Sequence, residues 1–418
     1  MRGFKHMLTV AAAVILTSVS CIYDFNPLQS LDSSFWVDVY VFEGDILAGD
    51  ITEISIRSAS PIYDNMSGHS GLMLGGTSYD YAPYTVYFDV SVECSDGTVI
   101  PAVFNGSRYR IDTRNIDLDK EYRLVAKRSG SEYGVALEPR EYVSAWLPVM
   151  KASAIDSVSF EILDEERLAV EVSAGGAEPL GGKYFRWTGK ETWEYTAPLY
   201  ASAYYDWNTN TIKYYKWDEN NNFYCWKSAV APFVKVGKVE DYDGGRIIGR
   251  KLFEYDNMNS KLQYVYSVEI LQETISEEAY RFWTALEKNT FDVGGLFSPQ
   301  PSEIRGNIVN PADSSELVIG YISASQVSRA KVYIDQRLTR FYKGKTLLPD
   351  PEVLWPDNWL YWYWNGYCPF AIHEEPNASF VDDRIWDWYP RRCLDCTLQG
   401  GTTQKPEGWD YSYQESLL

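Results

Sequence analysis

The sequence predicts an all-β chain: two β-sandwich (immunoglobulin-like) domains with one packed helix and a Cys/Trp-rich C-terminal segment. Three observations carry this. Short runs of alternating polar and apolar residues recur between Gly-, Ser- and Asp-containing turn clusters. The chain holds 33 Tyr, 17 Phe and 15 Trp, residue types that suit half-buried strands. A helical period shows in one stretch after the N-terminal segment, near residues 275–289.

In the first domain, residues 34–152, the alternating runs are Trp36 to Val41, Ile51 to Ile56, Tyr84 to Val92, Tyr122 to Ala126 and Tyr133 to Leu137. Ser95-Asp96-Gly97 and Ser129-Gly130-Ser131 are the turns between them. Pro148 leads out of the domain. A second β-rich domain, residues 153–345, begins at Ile155 to Phe160. It continues through Arg167 to Val172, Lys183 to Tyr195, Lys213 to Trp217 and Tyr264 to Leu271. Thr274 and Glu277 have the spacing of a capping box. Ala279, Phe282, Trp283 and Leu286 then recur as one apolar stripe, which reads as core packing. Leu317 to Ser323 and Ala330 to Ile334 return to strand. Residues 346–418 hold Trp355, Trp359, Trp362, Trp364, Trp386 and Trp388, punctuated by Cys368, Cys393 and Cys396. This segment reads as an aromatic-packed, cross-linked appendage without a regular sheet of its own.

The first twenty residues have a basic head at Arg2 and Lys5, an apolar run from Leu8 to Leu16, and small residues before Cys21. The run is too short to span a bilayer, which takes roughly 20 apolar residues. The layout resembles a bacterial lipoprotein signal, which makes Cys21 the acylated (palmitate-type) attachment site and residues 21–33 a tether. The formal net charge is −20, and loss of Arg2 and Lys5 makes it more negative still. Such a surface repels phosphate backbones, so nucleic acid is excluded as a partner.

An exported chain meets oxidising conditions. With Cys21 acylated, Cys225, Cys368, Cys393 and Cys396 are expected to form two disulfides and Cys94 to stay free. Three pairings are open, with Cys396 or Cys393 reaching back to Cys225 favoured. The Cys393-x-x-Cys396 spacing also suits zinc, but the compartment favours disulfides, so no metal is expected.

Catalytic constellations are sparse. The three histidines are His6 in the signal, His69 in a Gly/Ser loop and His373 beside two glutamates, and none has a triad setting. The stretch Gly71 to Gly76 lacks the lysine and strand–helix context of a phosphate loop. Glu191 and Glu194 flank Trp193 but fall on opposite faces of a strand, which argues against a joint acid–base role. The tryptophan cluster is the feature that suggests binding, with Trp359, Trp362, Trp364, Trp386 and Trp388 as candidates for a ligand or partner face.

Several ordered motifs carry a family resemblance. They are Ala279-Tyr280-Arg281-Phe282-Trp283, Gly295 to Ser302, Gly306-Asn307-Ile308 and Ile319 to Ser325, with Arg186-Trp187, Glu191 to Tyr195 and Cys225-Trp226 before them. Cys393-Leu394-Asp395-Cys396-Thr397, Gly400-Gly401 and Lys405-Pro406 close the series. Together they resemble the Bacteroidota outer-membrane lipoproteins classed as domain of unknown function 4249. The resemblance implies a gene beside a SusC-like TonB-dependent transporter and an accessory role in nutrient capture. It supplies no catalytic residues and no cofactor. The expected function is therefore a non-catalytic, cell-surface, lipid-anchored partner of an outer-membrane barrel. A structural subunit of an outer-membrane or secretion assembly is the alternative, and a glycan-active enzyme the third reading.

Overall fold

The structure, a computed structural model, describes residues 39–58, 85–132, 135–136, 138–175, 182–216, 222–291, 306–345, 348–372 and 385–411. Cys21, His69 and His373 lie outside these residues.

Two sheets face each other in the first sandwich. One has five strands, with Tyr40–Glu43 paired to Ile51–Ser58 and that strand to Tyr109–Asp112. The other has seven strands and is built on Thr85–Cys94 against Glu121–Glu132, with Arg140–Ser144 on the far side. Their inner faces meet in one apolar core that includes Phe42, Ile54, Val92, Ile111 and Leu124. Tyr40, Phe88 and Tyr142 meet there nearly edge to face, with centroids 5.2 and 5.5 Å from Tyr40.

The second sandwich repeats the plan. A three-stranded sheet of Ile155–Ile162, Arg167–Ala174 and Ile247–Asp256 lies against a five-stranded sheet. The larger sheet is organised by the Tyr184–Thr196 strand, which pairs with Val265–Ile275 on one side. Its other side is shared between Lys235–Lys238 along its first half and Tyr224–Val230 along its second. Leu168, Val170 and Val172 from one sheet pack on Phe185, Trp187, Val268 and Ile270 from the other.

Between the two sandwiches the chain order departs from the spatial order. Residues 306–325 were expected in the second domain, yet they add strands to the first. Val318–Ile319 runs parallel to Tyr40–Val41, Ala324–Ser325 parallel to Ile46–Leu47, and Ile308–Val309 antiparallel to Val143–Ser144. Edge strands leave unpaired backbone groups, and this returning segment satisfies them. The motif glycines explain how it fits: a Cβ on Gly306 would lie 1.4 Å from the Gly320 carbonyl oxygen. Asn307 between them accepts from the Ile322 N–H (2.9 Å) and donates to its carbonyl (2.7 Å).

The predicted helix is Glu277–Phe291. Its cap is Ser276, whose hydroxyl accepts from the Ala279 N–H at 3.2 Å, not Thr274 as the capping-box spacing suggested. Thr274 is fully buried and still paired in the Val265–Ile275 strand, so the helix starts two residues later. Ala279 and Phe282 are buried, whereas Leu286 at the far end of the stripe is exposed.

The C-terminal segment corrects the expectation that it has no sheet. Glu352–Leu354, Trp386–Pro390 and Tyr367–Ile372 form a three-stranded antiparallel sheet, with a short helix at Trp359–Trp364. The Ala203–Asp206/Thr211–Tyr214 hairpin of the second domain packs against it through Ala203 and Tyr205. A run of bulky aromatics hid the period-2 signal, because edge and face residues are equally apolar there. Among the described residues no helix is long and apolar enough to cross a membrane.

Candidate functional site

The C-terminal lobe sorts its tryptophans by position on the local backbone. The helix Trp359–Trp364 follows a turn with Pro356 at its first position and ends at Gly366, whose φ of 84° is the left-handed conformation that stops a helix. Within it, Trp359 points inward onto Leu354, Trp386 and Trp388. Trp362 and Tyr363 are half-buried against Tyr367 and Tyr205. Residues 360, 361 and 364 share the opposite face, being spaced three and four apart. There Tyr361 is 65% and Trp364 70% exposed, and Trp355 just before the helix is 50% exposed. Of the five expected contact tryptophans, Trp359, Trp386 and Trp388 are therefore interior. Burial removes them from any ligand or partner face. Trp364 stays available, and Tyr361 and Trp355, which were not singled out, join it.

The lobe is fastened to the second domain at one end of the Tyr184–Thr196 strand. Cys225, paired in register with Tyr195, forms a disulfide with Cys396 across a Cα–Cα distance of 5.9 Å. The Tyr195 hydroxyl donates to the Cys396 carbonyl (2.6 Å), and Trp226 exchanges backbone hydrogen bonds with Thr402 (2.8 and 2.9 Å). The second expected bridge is not formed: Cys368 and Cys393 are free, as is Cys94. The two thiols share a small apolar cluster with Ala201 and Leu394. Each nevertheless faces its own arginine, Cys368 towards Arg391 and Cys393 towards Arg392. Burial pushes the Cys368 thiol up to about 11, so it stays protonated and unreactive at neutral pH.

The other end of the same strand meets the first sandwich. Arg186 donates to Asp45, which lies between the first two strands of that sandwich, and to Glu273 of the neighbouring strand at 2.5 Å. All three side chains are almost inaccessible. Asp45 also accepts from the Ser323 N–H (2.8 Å), and the guanidinium lies 4.7 Å from the Trp283 ring centre. Burial and the charge of Asp45 push Glu273 up to about 7 against the pull of Arg186, because one cation serves two carboxylates.

Midway along the strand, Glu191 is fully buried. Its carboxylate accepts from the Tyr255 hydroxyl, from the Tyr266 hydroxyl at 3.1 Å, and from Lys261 at 2.5 Å. Burial, with the nearby carboxylate, holds both phenols above their ordinary range. Glu194 is buried too, though on a separate face. A carboxylate saturated by three donors is not placed to move a proton to substrate. Among the described residues no group of three or more His, Cys, Asp or Glu side chains is arranged to hold a metal.

The model of a family described as "Domain of unknown function (DUF4249)" matches residues 34–331. The chain belongs to this family. The matched region takes in the first sandwich, the returning 306–325 segment and most of the second sandwich, and ends within the strand Val327–Asp335, short of the aromatic lobe. No curated protein matches the chain. Among solved structures, a two fibronectin type-III domain segment from chicken tenascin is similar at 9% identity, covering 55% of this chain and 88% of that one. Its TM-score is 0.14, so the sandwich description of this DUF4249 protein rests on its own strand pairing.

Proposed function

We propose that this protein is a non-catalytic outer-membrane lipoprotein, anchored through Cys21, that serves a SusC-like TonB-dependent transporter as an accessory or ligand-capturing partner in nutrient uptake. The observation that carries the reading is the exposure of Tyr361 and Trp364 on one helix face, with Trp355 exposed just before it, on a lobe in which Trp359, Trp386, Trp388 and Trp409 are buried. Large aromatics are costly to leave in water, and Trp and Tyr supply much of the energy of protein interfaces. The acidic balance of the chain, 58 Asp and Glu against 38 Lys and Arg, makes an anionic lipid surface a poor occupant for this face and favours a protein partner.

Two experiments test it. The Cys21→Ala variant leaves the membrane pellet, because no second anchor is expected; fatty-acid labelling that persists in this variant refutes the lipid site. Co-purification from membranes in mild detergent recovers a TonB-dependent barrel with the wild-type chain. Trp364→Ala and Tyr361→Ala lose that barrel, by about 2 kcal/mol for a central contact, while their Tm is unchanged. Absence of any barrel with the wild-type protein, or loss of Tm in step with association, refutes the partnership.

A further inference from the structure

A cleft of about 330 Å³ opens beside the disulfide, at the seam between the second sandwich and the C-terminal lobe. That size is at the lower end for small-molecule sites, which run from about 300 to 1,000 Å³. Three aromatic rings line it: Trp193 and Tyr195 from the end of the long strand, and Tyr342 from the loop facing it. Lys227 and Lys345 bring two ammonium groups, and Gln263 and Gln399 two carboxamides. Among the described residues no carboxylate lines the cleft, in a chain that carries 58 Asp and Glu.

The walls are held in place rather than loose. The Tyr195 ring is tied by its bond to Cys396 and sits directly over Gly401, where a Cβ would come within 2.1 Å of its hydroxyl. Lys227 donates to the Gln399 carbonyl at 2.8 Å, which crosses the seam and leaves two of its three protons for a ligand. Trp193 is flanked by Lys261, 4.9 Å from its ring centre, and Lys261 is fixed by buried Glu191. Lys345 is exposed.

We infer that this cleft binds a small carboxylated saccharide, with a sugar face on the aromatic rings and the carboxylate between Lys227 and Lys345. Ring faces and amides suit the alternating C–H and hydroxyl surface of a sugar. Lys227 and Lys345 supply point charges for an anionic group, and among the described residues no arginine fork lines the cleft. The net negative charge of the chain disfavours anions, and the lysines of the lining oppose it locally. The inference rests on the ligand-capture half of the proposed function, and binding to the isolated chain separates its failure from failure of the barrel partnership.

Calorimetric titration of the mature chain lacking residues 1–21 compares digalacturonate with neutral digalactose. Digalacturonate is expected to bind saturably and to weaken about tenfold when salt rises from about 0.05 to 0.5 M, with digalactose at least tenfold weaker throughout. Lys345→Gln lowers digalacturonate affinity about tenfold at unchanged Tm, and Lys227→Gln lowers it about tenfold as well. Lys345→Gln is the cleaner variant, because Lys227 also bonds the seam. Equal binding of the neutral sugar, no saturable binding of digalacturonate, or undiminished binding in both lysine variants overturns the inference.

Discussion

The two ends of the Tyr184–Thr196 strand hold two different parts of the molecule, and they do so by different chemistry. At the Arg186 end, the first sandwich is docked through a buried guanidinium shared by Asp45 and Glu273. At the Tyr195 end, the aromatic lobe is docked by the covalent Cys225–Cys396 bond and a few backbone hydrogen bonds. The ionic end depends on proton balance, because burying charge is tolerable only when it is paired. The covalent end does not, but it is sensitive to reductant. The docked parts differ to match. The first sandwich has a large apolar core of its own, so a few polar contacts suffice to orient it. The lobe has a small core around Trp359, Trp386 and Trp388 and gains most from a tether.

Removing the covalent end has the largest expected effect. The disulfide joins residues 171 apart, and replacing Cys225 and Cys396 by Ser is expected to cost about 5 kcal/mol on the chain-entropy estimate. Denaturant titration of the double variant measures it, and limited proteolysis should show the lobe released first. If the double variant unfolds at the wild-type midpoint, the lobe is held by its packing alone. Next in size is Arg186→Leu, which leaves two buried carboxylates uncompensated and should cost about 4 kcal/mol. The lost stability should appear in the first sandwich and its Glu273 junction, with the lobe still protected in hydrogen exchange; uniform loss across the chain would deny that Arg186 marks a docking site.

The pH response sharpens the same contrast. Glu273 stands at about 7 in the folded chain against an ordinary 4.5. Between those values the folded state binds more protons than the unfolded one, so stability falls as pH rises through this window. The contribution is on the order of 3 kcal/mol between about pH 5 and pH 8. Stability curves of wild type and Glu273→Gln at those two pH values check it, since the variant should be flatter by that amount; parallel slopes would place the titration elsewhere. The smallest expected effect is that of Glu191→Gln in the middle of the strand. The amide still accepts from the tyrosine hydroxyls, and Lys261, one-quarter exposed, turns towards water. A loss of about 1 kcal/mol with docking unchanged at both ends is expected by thermal melting; a loss as large as that of Arg186→Leu would make Glu191 a third docking point.

Strand identity was legible for several strands with one wet face, although Tyr109–Asp112, Arg140–Ser144 and Ile247–Asp256, which also have a wet face, were missed. Thr85–Cys94, Ile155–Ile162 and Arg167–Ala174 all lie where alternation placed them, since their outer faces carry Asp, Ser and Glu. The helix was legible from its stripe, although its cap was misread by two residues because Ser276 and Thr274 are both hydroxyl residues at plausible spacing. The aromatic lobe was not legible. Six tryptophans between residues 355 and 388 look alike in sequence, and only their placement separates Trp388, wholly enclosed, from Trp364 on the outside. Glu191 and Arg186 drew notice as parts of motifs, but nothing in one dimension reveals a buried charge.

The all-β class, the position of the helix and the strong acidic balance could be read from the residues alone, whereas the sequence only favoured, among three open pairings, a C-terminal cysteine reaching back to Cys225. The first three follow from local periodicity and composition, neither of which depends on distant partners. Tertiary structure decided that residues 306–325 complete the first sandwich, that Cys368 and Cys393 remain apart, and that three expected contact tryptophans are core. It also decided that Tyr195, Lys227 and Tyr342, distant along the chain, share one cleft wall. These outcomes rest on pairings across tens to hundreds of residues, where each backbone edge, thiol and charge takes the partner that packing brings within reach.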